Sequence, residues 1–73
     1  MPRILDGVKV GDWLSIVANG KQSCERVKRV SGLVVETDNY RFTKYGRTWP
    51  THRPSIMAEP ASKSEVQRWL EKQ

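Results

Sequence analysis

Short runs of β-forming residues, each ended by turn-forming residues, constrain the fold of this chain more than any other feature of its sequence. Residues 13–17 (WLSIV) end at Asn19 and Gly20, a pair that strongly favours a tight hairpin turn. Residues 24–30 (CERVKRV) and residues 33–37 (LVVET) follow, with a Ser-Gly pair between them. Strands this short, at this spacing, predict a small antiparallel β fold.

The run at residues 24–30 requires an irregularity. Its apolar side chains, Val27 and Val30, are three residues apart, so a regular strand would point them to opposite faces. A β-bulge would bring both to the same side, and bulges are common where a sheet bends into a barrel. The spacing therefore indicates a bent sheet.

An Asp-Asn pair at positions 38 and 39 predicts a two-residue turn after the LVVET strand, since both residues tolerate a positive φ. The register that follows opposes four pairs across this hairpin: Thr37 with Tyr40, Glu36 with Arg41, Val35 with Phe42, and Val34 with Thr43. An opposite-charge pair and an apolar pair are then directly opposed. We expect Phe42 on the core side with Leu33 and Val35, and Arg41 on the other side.

The segments on either side of this hairpin are less regular. Residues 44–54 are punctuated by one glycine and two prolines, which predicts a loop with extended pieces. Residues 55–58 (SIMA) are short and apolar and predict a closing strand. Residues 1–6 predict a partly ordered arm, of which Ile4 and Leu5 pack against the core.

The C-terminal residues predict one helix. Ser62 is placed to cap it, and Glu65 three residues later completes a capping box. Val66, Trp69 and Leu70 have helical spacing and form one apolar stripe. Because a helix this short is marginal alone, Trp69 must dock either on the sheet, which we expect, or on a partner.

Together these patterns predict a mostly β protein with one domain over residues 1–73. Its fold class is a small bent antiparallel sheet, or partly open barrel, of four to five strands with a C-terminal helix at about residues 62–71.

Size and inventory argue against an enzyme. A chain of 73 residues has room for one minimal core and no deep cleft between subdomains. His52 is the only histidine, Cys24 is the only cysteine, and the carboxylates are scattered, so no catalytic set, metal site or cofactor site is expected. No apolar run is long enough to span a membrane, and we expect a soluble intracellular protein.

Charge and aromatic residues indicate a binding function. The formal charge of +5 favours nucleic acid, an anionic lipid surface or an acidic protein surface as partner. No acidic residue lies between Asp38 and Glu59, where aromatic residues alternate with cations. The candidate partner-binding residues are Arg41, Lys44, Tyr45, Arg47, Trp49 and Arg53.

The chain also resembles known phage proteins. VKVGDW, the Asn-Gly turn, RVKRV and the LVVET hairpin into YRFTK resemble the Src-homology-3-like barrels of small phage proteins. The final IMAEPASKSEVQRWL is similar to their extended piece and capped helix.

In length, basic balance and layout the chain resembles small phage-encoded transcription regulators that bind host bacterial RNA polymerase. The resemblance implies a monomer in the host cytoplasm that binds the N-terminal region of the polymerase β′ subunit. It further implies inhibition of initiation and antitermination, with at most weak contact to nascent RNA or DNA. It assigns no role to any individual residue.

Two kinds of partner therefore remain open. A partly open barrel leaves a strand edge to which a protein partner can add, and Arg, Tyr and Trp often dominate protein interfaces. Small bent barrels also bind single-stranded nucleic acid by stacking bases on aromatic rings beside a basic groove.

Overall fold

The computed structural model describes residues 3–72, so the first two residues of the predicted arm lie outside the described residues. Six strands precede one helix: β1 (Trp13–Ala18), β2 (Lys21–Arg26), β3 (Arg29–Ser31), β4 (Val34–Glu36), β5 (Arg41–Thr43), β6 (Ile56–Pro60) and α1 (Lys63–Glu71). The predicted class, a small mostly β fold with a C-terminal helix, is confirmed. The strand number is higher than predicted because the second predicted strand is two strands.

The strands form two antiparallel sheets that are connected on two sides. One sheet has the order β2-β1-β6 and the other the order β3-β4-β5. On one side β2 runs into β3 through Val27 and Lys28. On the other side Thr48 forms a β-bridge with Phe42 of β5, and Arg47 forms one with Met57 of β6. These connections bend the two small sheets around a common core.

The bend between β2 and β3 lies where a bulge was predicted, but it separates two strands of different sheets instead of interrupting one strand. Arg29 pairs with Glu36, and the N–H of Lys28 also donates to the Glu36 carbonyl oxygen at 2.9 Å. Arg29 of β3 and Lys28, which directly precedes β3, thus both lie opposite Glu36. Val27 is 1% exposed and Val30 packs half-buried against the core, so both apolar side chains face inward as expected.

The β4–β5 hairpin has the predicted register. The three pairs from Val34 with Thr43 to Glu36 with Arg41 are formed, and the Thr37 N–H donates to the Tyr40 carbonyl oxygen at 2.9 Å. The expected positive φ at the turn is absent, because Asn19 alone among non-glycine residues in 3–72 has one. The Thr37 hydroxyl instead accepts from the Tyr40 N–H at 3.2 Å.

The predicted inward position of Leu33 is wrong. The turn between β3 and β4 is formed by Gly32 and Leu33, because Ser31 pairs directly with Val34. Leu33 is therefore 52% exposed at the turn and does not pack in the core.

Apolar side chains from both sheets and from the N-terminal arm form one core. Its buried members are Leu5, Leu14, Ile16, Val27, Val35, Phe42, Ile56 and Ala58. Phe42 is fully buried, and burial of such a side chain contributes about 2 kcal/mol to stability. Leu5 anchors the arm, since its N–H donates to the Lys44 carbonyl oxygen at 2.8 Å, while Ile4 stays partly exposed.

Gly46 lies in the segment that connects β5 to β6 (residues 44–55), where this segment passes close to β6. Its φ is +81°, and its carbonyl oxygen accepts from the Ala58 N–H at 2.9 Å. A Cβ atom at this position would clash with the Ala58 carbonyl oxygen and would lie 2.7 Å from Cδ1 of Ile4. Glycine is therefore required both by conformation and by space.

The helix has the predicted cap but docks only lightly. The Ser62 hydroxyl accepts from the Glu65 N–H at 3.2 Å, and the Glu65 carboxylate accepts from the Ser62 N–H at 3.3 Å. Gln22 of β2 connects the helix to the sheet, donating from Nε2 to the Glu65 carboxylate at 3.1 Å and to the Ser15 hydroxyl at 3.0 Å. Trp69 is half-buried beside β2, but no residue of α1 is fully buried.

Substitution of Gly46 tests the close approach of the connecting segment to β6. We expect Gly46→Ala to lower the free energy of unfolding by about 3 kcal/mol, since it adds a steric clash to an unfavourable φ. Gly32→Ala is the matched control, because Gly32 has a φ of +56° but no atom within 4 Å of the added methyl. Urea unfolding should show a cost of only about 1 kcal/mol for that control. Equal costs would contradict the proposed clash.

The docking of α1 should depend on pH through Glu65. The hydrogen bond from the Ser62 N–H, with side-chain hydrogen bonds from Ser15, Ser62 and Gln22, lowers the pKa of Glu65. The carboxylate therefore stabilises the docked helix fully above its ordinary pKa of 4.5, and this stabilisation is lost as pH falls through the lower folded pKa. NMR shifts of the Gln22 side-chain amide should follow that loss. The same transition in Glu65→Gln would contradict the assignment.

Candidate macromolecule-binding face

The segment that joins the two sheets also presents the most exposed aromatic ring of the chain. After β5 the chain turns back on itself, and the Thr43 N–H donates to the Arg47 carbonyl oxygen at 2.7 Å. The Trp49 N–H then donates to the Arg41 carbonyl oxygen at 2.9 Å. Because this pairing holds the backbone against β5, the Trp49 side chain is 49% exposed beside Arg41.

The buried hydroxyl of Thr48 fixes the loop that follows. It donates to the Thr51 carbonyl oxygen at 2.6 Å and accepts from the Arg53 N–H at 2.7 Å. Thr48 itself pairs with Phe42 in the core, so these two hydrogen bonds connect the loop to the centre of the fold. The positions of Trp49 and Arg53 are thereby held relative to each other.

Three shallow grooves meet at Trp49, with volumes of about 250, 390 and 260 Å³. Four cations line them: Lys28, Arg29, Arg41 and Arg53. Two carboxylates, Glu36 and Asp38, also lie along these grooves, so the surface is positive but mixed in charge. We call Trp49 with its four surrounding cations the Trp49 face.

Glu36 orients two of these cations. Its carboxylate lies 2.7 Å from Nε of Arg41 and 3.8 Å from Nε of Arg29. The two arginine side chains remain 60% and 70% exposed, so the pairs contribute at most about 1 kcal/mol each to stability. Because each contact is made through Nε, the terminal nitrogens of both guanidinium groups remain available to a partner.

Tyr40 contributes to the same grooves from a more restricted position. Its ring stacks on Phe42 with a centroid distance of 5.6 Å and is half-buried. Trp49 is therefore the ring of this face that is most accessible to a partner.

The structure brings three of the six predicted partner-binding residues together: Arg41, Trp49 and Arg53. Tyr45 and Arg47 lie in the turn before Trp49, and neither lines the grooves around it.

The prediction that Lys44 is free for contact is wrong. Lys44 is only 7% exposed. Its backbone N–H donates to the Leu33 carbonyl oxygen at 2.9 Å, while its own carbonyl oxygen accepts from Leu5. At this exposure the residue offers little surface to a partner.

Lys28 and Arg29 line the grooves around Trp49 but were not predicted from the sequence as partner-binding residues. They lie on the Trp49 face because β3 pairs with β4 and brings Arg29 opposite Glu36. The opposite charges of Arg29, Glu36 and Arg41 indicate that these residues lie side by side on adjacent strands, once β3 is treated as a separate strand. Treating residues 24–30 as one strand concealed this register.

Other chemistry is sparse in the part of the chain that the structure describes. Burial raises the pKa of the Cys24 thiol, and the nearby Glu65 carboxylate raises it further, which makes this thiol a poor nucleophile. Within residues 3–72 no group of three potential metal-ligating side chains comes together. No helix in the same range is long and apolar enough to cross a bilayer.

No protein-family model, curated protein or solved structure matches the chain.

Removal of the Thr48 hydroxyl tests how the Trp49 face is held. We expect Thr48→Val to lower the free energy of unfolding by about 2 kcal/mol, because it leaves the Thr51 carbonyl and the Arg53 N–H without their partner. Thr51→Val is the matched control, since its side chain is exposed and only its carbonyl takes part. Urea unfolding should separate the two variants. Amide exchange at Arg53 should rise only in Thr48→Val.

Proposed function

We propose that this protein is a non-enzymatic, phage-encoded transcription regulator that binds the β′ subunit of the host RNA polymerase in its N-terminal region. Binding inhibits transcription initiation and promotes antitermination. The observation that carries the proposal is the Trp49 face, a half-exposed tryptophan surrounded by cations on a rigid connection between two sheets. The choice of polymerase follows from the resemblance to small phage regulators.

The composition of the Trp49 face suits a protein partner. Tryptophan and arginine are the residues that most often dominate protein interfaces. Glu36 pre-orients Arg29 and Arg41, so fewer rotamers are lost when a partner carboxylate is bound. An acidic surface carrying one apolar pocket for Trp49 is the complement that this face requires.

The carboxylates on the face favour protein over nucleic acid. Glu36 and Asp38 lie among the cations and would repel a continuous phosphate backbone. A single strand is commonly bound by stacking successive bases on several rings, but Tyr40 is half-buried against Phe42. Trp49 alone offers a freely accessible stacking surface on this face.

A protein of this size acts by occupying a surface or by holding a mobile element in one state. Bound at the β′ N-terminal region, it blocks promoter recognition by excluding another factor. Its remaining positive charge attracts emerging RNA and disfavours the terminator hairpin. No chemical step is needed for either effect.

Substitutions on the Trp49 face test the proposal. We expect Trp49→Ala and Arg41→Glu each to weaken binding to purified host polymerase about thirtyfold, equivalent to about 2 kcal/mol. Both residues are exposed, so the fold should survive. Lys21→Glu is the matched charge control, because Lys21 is exposed in β2 on the other sheet. Inhibition of initiation in a purified transcription reaction should fall in parallel with affinity.

Full inhibition by a folded Trp49→Ala variant would contradict the use of this face. Retention of binding by a polymerase that lacks the β′ N-terminal region would contradict the proposed partner. The two results are independent, so the failure of one part leaves the other testable.

Direct binding of single-stranded nucleic acid is a second candidate, favoured by the position of the Trp49 ring beside four cations. Such a protein would bind an unrelated oligonucleotide, and its affinity would fall steeply as salt rises. We expect weak oligonucleotide binding that Trp49→Ala barely changes. Tight, salt-sensitive binding that Trp49→Ala abolishes would favour this second function over the first.

A further inference from the structure

A second surface lies on the other sheet, between α1 and the start of β1. It is a groove of about 700 Å³ with mainly apolar walls, and we call it the α1 groove. The side chains that form these walls are Val8, Trp13, Pro60, Ala61, Val66 and Leu70. This volume is within the range of clefts that hold small ligands or a few side chains of a partner.

Hydrogen bonds at two positions hold the walls of the α1 groove. At one end the Ala61 N–H donates to the Trp13 carbonyl oxygen at 3.1 Å, which connects the approach to the helix with β1. On the far side of the helix, Gln22 holds the Glu65 carboxylate. The helix is therefore fastened to the sheet at positions that leave the groove open.

No side chain of residues 3–72 fills this groove. Leu70 is 52% exposed, and Val66 and Trp13 are half-buried. The Arg26 guanidinium lies over the outer Trp13 ring, 5.0 Å from its centroid, which keeps that ring in place. The side of the predicted α1 stripe that carries Val66 and Leu70 thus lines a cleft that no other side chain in the described part of the chain fills.

The charges beside the groove indicate what fills it. Although the chain carries a formal charge of +5, two carboxylates, Asp12 and Glu71, line the groove with one cation, Lys63. Neither carboxylate forms a salt bridge within residues 3–72, where the only salt bridges belong to Glu36. Glu71 lies at the C-terminal end of α1, where the last backbone carbonyls also attract a cation.

We infer that the α1 groove binds an amphipathic segment of a partner protein. Apolar side chains of that segment fill the cleft beside Val66 and Leu70, and a lysine or arginine meets Glu71 and the helix C-terminus. The required chemistry is opposite to that of the Trp49 face, which takes acidic groups. The protein therefore has two surfaces, on different sheets, for groups of opposite charge.

A second copy of this chain is a poorer fit to the groove. The apolar side of α1 is the segment that would fill the groove of a second copy, and this helix has nine residues. At this length it spans about 14 Å, too short to bury the roughly 800 Å² per partner of a standard interface.

Selection from a library of random short peptides tests the inference. The wild-type protein serves as bait, and peptides that also bind Leu70→Glu are removed. We expect the enriched peptides to combine apolar residues with lysine or arginine. A synthetic copy of an enriched peptide should bind about tenfold more weakly to Leu70→Ser and to Glu71→Lys, and with unchanged affinity to Trp49→Ala.

Enrichment of acidic peptides, no enrichment, or equal affinity for wild type and Leu70→Ser would overturn the inference.

Sedimentation of the protein alone gives a further check. Concentration-dependent dimers that Leu70→Ser abolishes would assign the groove to a second copy and would also overturn it. Leu70 is exposed on the helix, so circular dichroism should confirm that Leu70→Ser stays folded. Because Trp49 is unchanged in these variants, the result is independent of polymerase binding through the Trp49 face.

Discussion

The backbone pairing of residues 46–49 is the constraint on which the rest of the structure depends. Through Gly46 this segment hydrogen-bonds to Ala58 of β6, and through Trp49 it hydrogen-bonds to Arg41 of β5. The two three-stranded sheets are otherwise connected by the bend from β2 to β3 and by exposed hydrogen bonds from Asn39 to the Glu25 carboxylate. Because small sheets cannot bury enough apolar surface separately, the pairing of residues 46–49 with both sheets lets them share one core.

The same pairing links stability to the proposed function. Trp49 cannot move away from Arg41 without loss of the backbone hydrogen bond between them. The Thr48 hydroxyl holds the following loop through its hydrogen bonds to Thr51 and Arg53. A partner therefore meets a preformed face and loses little entropy in ordering it. By contrast, α1 is joined to the sheet by the hydrogen bond between Gln22 and Glu65, and its exposed apolar side lines the α1 groove, which also carries two carboxylates.

Features set by neighbouring residues could be predicted from the sequence. The turn at Asp38 and Asn39 places Phe42 opposite Val35 in the core, and Ser62 with Glu65 caps the helix as expected. Half of the candidate contact residues also lie on one face. The sequence predicted a turn at Ser31 and Gly32, whereas the turn lies one residue later, at Gly32 and Leu33, and exposes Leu33. Only the pairing of β3 with β4 decides between these two positions.

The sequence by itself determined the mostly β class, the β4–β5 register, the inward positions of Val27 and Val30 and the capped helix, because each depends on residues a few positions apart. Only the tertiary structure decided which cations surround Trp49. Lys28 and Arg29 reach it from a part of the chain that is distant in sequence, while Lys44, although close in sequence, is only 7% exposed. Local patterns specify strands and turns, but the surface that a partner meets is set by how distant strands pair.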